Sequence, residues 1–328
     1  FGLDMFARQL GDEARRDRRG PLPVDAPVRG MEDGALPPRP RDRDIGEAAL
    51  LLEAGKPALV ESATWVEDAP MPAQGLEASA DATRDASRWL VVVVQRKPDL
   101  SEMDGLQRIR DDLLSFIDRQ AEGTNIAVLS FDTRLHQWLD FTRDREPLRQ
   151  VFGQSLFTSR PPRDVAIHFG TGTLPESDIR TQTSLEEGLA SIALLLSELP
   201  GLKNLLLIGH GLGTWVPRLG LVELAPNYPA LLEAFRRART SVFCIDLTRA
   251  DYHPRQEGLV QVASDSGGLY WQSHIFTRAP FERLGRVLSG HYTLLVVPPE
   301  LRKGDRSLRV SLKGRKGQVL VARRYVVE

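Results

Sequence analysis

The hydrophobic pattern changes character along the chain. Arg88–Gln95 (RWLVVVVQ) is a continuous apolar run, the signature of a strand buried on both faces of a parallel sheet. Leu106, Ile109, Leu113, Phe116 and Ile117 then recur at helical spacing. Residues 125–131 read as a strand, Asp132-Thr133-Arg134 as a tight turn, and 135–141 as an antiparallel partner. Helices are predicted at 144–153 and 184–199. The second opens on the capping-box pair Thr183 and Glu186 and stops at Pro200-Gly201. Apolar strands at 204–208, 241–247 and 268–272 alternate with helices at 229–238, 255–264 and 279–288. Repeated β-α units with short connections predict an α/β fold over 86–289. It is a doubly wound, mostly parallel sheet with one antiparallel edge strand.

The flanks follow another rhythm. Residues 47–68 read as a hairpin turning at Gly55-Lys56-Pro57, and 69–87 as a linker. The tail carries three alternating segments, 291–297, 308–313 and 319–327, with turns at Asp305-Arg306 and 314–317. Neither end can build a stable sheet alone. The economical expectation is one small β-domain assembled from both ends (46–80 and 290–328), with the α/β domain inserted in it. Residues 1–45 hold nine Arg, nine Asp or Glu and six Pro. They read as an extended charged arm, with Phe1 and Phe6 among its apolar anchors for a partner.

Composition narrows the choice of function. A chain of 328 residues, 41% hydrophobic and 27% charged, has room for two domains with real cores. A net charge of −1 argues against a dedicated nucleic-acid binder. One cysteine, Cys244, excludes an internal disulfide framework, and its place in an apolar strand suits an inert small hydrophobe. No apolar run is long enough to cross a membrane as a helix. The sequence opens on Phe1 rather than Met, which leaves room for a preceding leader or anchor.

Candidate chemistry is sparse. Gly209-His210-Gly211-Leu212-Gly213 follows a strand, like a nucleophile elbow, but glycine stands where the nucleophile would be. Tight turning after a strand explains the same glycines. Residues 168–173 (HFGTGT) lack the third glycine of a phosphate cradle and read as a flexible loop. The six histidines show no metal-ligand spacing. Basic clusters at 236–239 and 313–317 read as solvated faces, with an anionic surface as the alternative.

Several segments resemble a known family. LLLEAGKPALVES (50–62), NIAVLSFDTRLHQWLDFTRDREPLRQVF (125–152), TSLEEGLASIALLLSELPGLKNLLLIGHG (183–211), SVFCIDL (241–247) and GHYTLLVV…VARRYVV (290–327) carry the likeness. In order and spacing the chain resembles the von Willebrand factor type A-related proteins abundant in Acidobacteria. The likeness spans about 50–328. It implies a metal-ion-dependent adhesion site at the carboxyl ends of the strands, built on D-x-S-x-S, a Thr on a second loop and an Asp on a third. Here those positions hold Gln95, Lys97 and Asp99, then Thr183 or Ser184, then His210. A Lys ammonium beside a divalent ion is strongly unfavourable, so no metal and no cofactor are expected.

The expected function is therefore non-enzymatic. The chain would be a protein-interaction, scaffold or adhesion subunit on an extracytoplasmic or membrane-associated assembly. Contacts are expected through Phe1, Phe6, Arg96, Lys97, His210 and Trp215. Trp215 reads equally as an interface anchor or as a cover for the sheet end. The alternatives are a metal-dependent A-domain with unusual ligands such as Asp99 and Asp132, or an inactive hydrolase-like protein.

Overall fold

The computed structural model describes residues 2–8, 49–53, 56–67, 88–96, 100–120, 123–162, 165–297, 304–312, 318–321 and 324–327. In chain order, strands β1 (Gly2–Arg8), β2 (Ala49–Glu53) and β3 (Lys56–Glu67) precede β4 (Arg88–Gln95). Helix α1 (Leu100–Asp118) leads to β5 (Thr124–Phe131) and β6 (Leu135–Thr142). Then come α2 (Arg145–Gln150), strands β7 (Ile167–Phe169) and β8 (Gly172–Leu174), and helices α3 (Glu176–Arg180) and α4 (Leu185–Ser197). Strand β9 (Lys203–Gly209) is followed by β10 (Thr214–Val216) and β11 (Leu221–Glu223). Next are α5 (Tyr228–Arg237), β12 (Thr240–Asp246), α6 (Gln256–Ser266), β13 (Tyr270–Gln272) and α7 (Arg278–Val287). Strands β14 (Gly290–Val297), β15 (Gly304–Leu312), β16 (Gln318–Leu320) and β17 (Arg324–Val327) close the chain.

These elements fall into two compact units. One gathers Phe1–Val66, His291–Leu320 and Val326–Glu328, the other Glu67–Gly290 and Val321–Tyr325. The first contains a seven-stranded sheet in the order β16-β1-β14-β3-β2-β15-β17. Its strands come from both ends of the chain. Gly2–Arg8, which composition placed in an extended arm, is a strand of this sheet. It pairs antiparallel with β14 through Gly2–Met5 and with β16 through Phe6–Arg8. Asp305 and Arg306, read as a turn, lie within β15, and the segment read as one strand over 319–327 is split between β16 and β17.

The second unit is the α/β domain. Its six-stranded sheet runs β13-β12-β9-β4-β5-β6, parallel throughout except for β6 at the edge. The continuous apolar runs are explained by burial on both sides. Val91, Val93, Leu205, Leu207, Val242 and Cys244 face a core shared with Leu189 and Ile192 of α4, Leu231 of α5 and Leu259 of α6. Alternate residues such as Val92 and Phe243 point the other way and are equally inaccessible. On that side α1 packs against α7, with Phe116 and Phe281 rings 5.4 Å apart. Each such aliphatic side chain taken from water contributes about 1.5–3 kcal/mol.

Local detail departs from the pattern in instructive places. The predicted helix at 144–153 is short α2, capped by Asp144 Oδ1 accepting from Glu146 N, and passes into a π-helical turn, Val151–Ser155. Residues 168–173, read as a flexible loop, lie in the hairpin β7–β8, with Gly170 at its turn (φ +59°). The cap of α4 sits one residue later than expected. Ser184 is the N-cap and accepts from Glu187 N, while the Glu187 carboxylate takes hydrogen bonds from Thr183 N (2.6 Å) and Thr183 Oγ1 (3.0 Å).

Candidate functional site

In an open parallel sheet, ligands are received beyond the carboxyl ends of the strands. Here that edge is formed by the loops after β4, β9, β12 and β13, together with the β5–β6 turn.

At its centre, β4 ends on Gln95, which is 4% exposed. Its Nε2 donates to Gly211 O (2.9 Å) and its Oε1 accepts from His210 N (2.8 Å). The amide is thus a two-pronged clamp across the glycine-rich loop that follows β9. The glycines permit the approach. A Cβ on Gly209 would lie 2.2 Å from Gln95 Oε1, and Gly211 (φ +132°) would meet Arg255 at 2.5 Å. Arg255 closes the loop from the other side, donating to Gly213 O (3.1 Å) and Gly211 O (3.3 Å). No nucleophile stands in this turn, and its geometry is explained by close backbone packing.

The other predicted residues are placed as follows. Arg96 donates through its backbone N to Phe131 O (2.7 Å) and through Nη2 to Ser159 O (3.0 Å), and its guanidinium lies over Trp138, 5.4 Å from the ring centre. Burial lowers its pKa, against the opposing pull of Asp132. His210, expected to meet a partner, is only 5% exposed, so its side chain belongs to the interior. Trp215 stands on β10, 37% exposed, in the hairpin β10–β11. Phe6 lies in β1 opposite Leu320. Phe1, Lys97 and Asp99 lie outside the described residues. Gln95 and His210 therefore meet, Arg96 follows directly on the clamp, and Thr183 belongs to the α4 cap.

A divalent cation is the group this kind of fold edge would hold. The described residues at the corresponding positions do not fit one. Gln95 is a neutral amide whose oxygen already accepts from His210 N, and the His210 side chain offers no oxygen ligand. Among the described residues no three His, Cys, Asp or Glu side chains converge as a ligand set.

A second cluster escaped the sequence reading. Asp246, at the end of β12, is fully buried. Its Oδ2 lies 2.7 Å from His253 Nε2 and accepts from Tyr270 OH (2.9 Å), while Oδ1 accepts from Thr248 N (2.9 Å). Burial and then the Asp246 carboxylate push the Tyr270 phenol above its ordinary pKa, and the same two causes act on the Cys244 thiol. Among the described residues no hydroxyl or thiol nucleophile is hydrogen-bonded to His253. The cluster braces the loop that follows β12. A carboxylate ending the apolar run SVFCID was the one available signal, because parallel strands end where sites form.

At the β5–β6 turn, burial opposes ionisation of Asp132. Hydrogen bonds from Thr133 N, His136 and Arg134 N outweigh it and hold the carboxyl below its ordinary pKa.

No family model matches the sequence, and no curated protein matches it. Among solved structures, the chain is similar to proximal thread matrix protein 1 from the mussel byssus. Identity is 13%, over 76% of this chain and 51% of that one, with a TM-score of 0.44. It is also similar to a von Willebrand factor type A protein from Catenulispora acidiphila (11% identity, 74% and 66% coverage, TM-score 0.42). A third is the conserved hypothetical protein BatB from Bacteroides thetaiotaomicron (12%, 61% and 96%, TM-score 0.40). The chain spans about half the length of the byssus protein. At such scores these likenesses carry no argument about function; the strand order of the α/β unit rests on its own pairings.

Proposed function

We propose that the chain is a non-enzymatic protein-interaction subunit, a scaffold or adhesion component, built on an A-type domain that works without a metal ion. In this reading it docks on a larger extracytoplasmic or membrane-associated assembly. The observation that carries it is the Gln95 clamp, which fills the position of the leading metal-site carboxylate with a neutral amide already bonded to His210 N and Gly211 O. Trp215, partly exposed on its own hairpin beside this loop, is the anchor for a partner.

Unusual ligands are disfavoured by Asp132, whose Oδ1 is already shared among Thr133, Arg134 and His136. The test is native purification of the full chain with mass spectrometry of co-eluting proteins, alongside titration calorimetry with Mg²⁺, Mn²⁺ and Ca²⁺. A partner that stays bound in EDTA and is lost in Trp215→Ala is the expected result. A stoichiometric micromolar metal site, or a partner released by EDTA, overturns it.

A further inference from the structure

The six-stranded sheet has two outer strands, β6 and β13, and they are finished differently. Strand β6 is guarded. Its pairing with β5 is interrupted by register shifts. The β7–β8 hairpin is tied to it, the Gln137 amide donating to His168 O (2.7 Å) and accepting from His168 N (3.0 Å). Bulges and a covering hairpin close a sheet edge to other chains.

Strand β13 is short but open. Its pairing with β12 fixes which of its backbone groups are used. Cys244 N donates to Leu269 O (2.8 Å) and Ser273 N to Asp246 O (2.8 Å), in a register that sets Cys244 opposite Tyr270 and Asp246 opposite Gln272. Bonds in a parallel ladder alternate along the strand, so Leu269 O, both backbone groups of Trp271 and Ser273 N turn toward β12. The N–H and C=O of Tyr270 and of Gln272 turn outward. They have no backbone partner among the described residues. The strand, Tyr270-Trp271-Gln272, contains no Lys, Pro or carboxylate to discourage pairing.

The surroundings of this edge are apolar and without a field of one sign. Directly after the strand, Ile275 is 68% exposed and Phe276 82%. Their loop is fixed. Ser273 Oγ donates to Phe276 O (2.7 Å), His274 Nδ1 lies 3.0 Å from Leu247 O, and Thr277 Oγ1 is hydrogen-bonded to Asp112. The nearby charges are mixed. Arg249, Asp251 and Glu257 surround the loop after β12, and Arg278 is held by Glu282 (2.7 Å) on α7. Such an edge does not repel a copy of itself, and it offers no steering to a partner of strong opposite charge.

We infer that β13 is a self-association edge, where a second copy of this chain adds its own β13 antiparallel about a two-fold axis at Trp271. The edge is its own complement. With Trp271 opposite Trp271, Tyr270 stands opposite Gln272 of the second copy, and both residues carry the outward groups. Each such pair exchanges both its hydrogen bonds, and the two-fold repeats the exchange. Trp271, stacked on Phe243 with rings 6.5 Å apart, meets its copy as a cross-strand aromatic pair. The same register sets Ser273 opposite Leu269 of the second copy. The loop bearing Ile275 and Phe276 therefore runs on past the amino end of that strand. There its side chains add the apolar contact that an edge of three residues lacks. This association is independent of whatever binds at Trp215.

The full chain is tested by sedimentation velocity from about 1 μM to about 1 mM, with hydrogen exchange read residue by residue at both ends of that range. A reversible dimer is expected. The Tyr270 and Gln272 amides should be protected in the concentrated sample and exchange fast in the dilute one, while the Trp271 amide, bonded to β12, stays protected in both. Gln272→Pro removes an outward N–H and leaves the bonds to β12 in place. It should weaken the dimer about tenfold or more, since one hydrogen bond is lost on each side of the two-fold. Ile275→Ser/Phe276→Ser should weaken it about tenfold, and Trp215→Ala should leave it unchanged. A monomer at every concentration overturns the inference, as does a dimer that Gln272→Pro, with its circular dichroism unaltered, fails to weaken. So does exchange of the Tyr270 and Gln272 amides that is independent of concentration, whether fast or protected. Should Gln272→Pro not fold, the exchange of the unaltered chain decides.

Discussion

Two corners of one sheet edge solve the same problem with opposite chemistry. After β4, a neutral amide braces the adjoining loop; after β12, a buried carboxylate does so. Gln95 both donates and accepts, so a single side chain satisfies Gly211 O and His210 N and leaves no charge behind. Asp246 can only accept, and a buried carboxylate left without donors is costly. It therefore draws in Thr248 N, His253 and Tyr270. The amide corner is self-contained and depends on the backbone coming close. The carboxylate corner depends on donors gathered from the loop that follows β12 and from the neighbouring strand β13.

The largest effect is expected where the comparison is broken at the carboxylate. Asp246→Leu removes the shared acceptor of three half-buried donors and should cost about 3–5 kcal/mol of stability in chemical denaturation, on the scale of a severed buried pair. Next comes the amide corner. Gly209→Ala would drive its Cβ to 2.2 Å from Gln95 Oε1 and should cost about 1–3 kcal/mol. Gln95→Ala should cost about 1–3 kcal/mol by leaving His210 N unpaired and Gly211 O with Arg255 Nη2 alone. Because the clash in the first is with the side chain deleted in the second, the double variant should be less destabilised than the sum of the two. Strict additivity would show that the amide and the glycine are not coupled.

The smallest effect is expected on acidification. Asp132 and Glu187 both have lowered pKa values in the fold. A depressed folded pKa gives stability that is present above the unfolded value, about 4 for a carboxylate, and lost as pH falls through the folded one. Since Glu187 is in part open to solvent, the loss there is modest. Protection of the Thr133 and Thr183 amides, taken as the ratio of intrinsic to observed hydrogen-exchange rate, should fall below about pH 4. Protection that is flat with pH would mean these carboxylates do not brace their turns.

Much of the α/β unit was legible in the residues. Val91–Val94 could only be a strand covered on both sides, and Leu106 to Ile117 only a helix with one apolar stripe. What escaped has physical reasons. Strands β7, β8, β10 and β11 are three residues each, too short to show a period. Thr183 and Ser184 suit an N-cap equally. The choice fell to the residue whose backbone is extended, Ser184 at φ −140°. Gly2–Arg8 was hidden because its partners β14 and β16 lie at the far end of the chain, beyond any local pattern. In the fold, Gln95 ends β4 with Arg96 next to it, and His210 and Trp215 follow β9. The burial of His210, by contrast, depends on tertiary packing. Asp246 and His253 are joined across a loop, which linear spacing does not announce.

The two-ended sheet has a consequence for how the protein is made. Domains tend to fold from the N-terminus as the chain is synthesised. Strand β1 cannot pair with β14 or β16 until nearly the whole polypeptide has emerged, whereas every strand of the six-stranded sheet is complete by Gln272. The inserted domain can therefore finish first, while β1 waits with open edges, the kind that invite pairing with the wrong chain. In the interval between emergence of the last α/β strand and emergence of β14 and β16, β1 has no partner, and that is when the nascent protein most needs a chaperone.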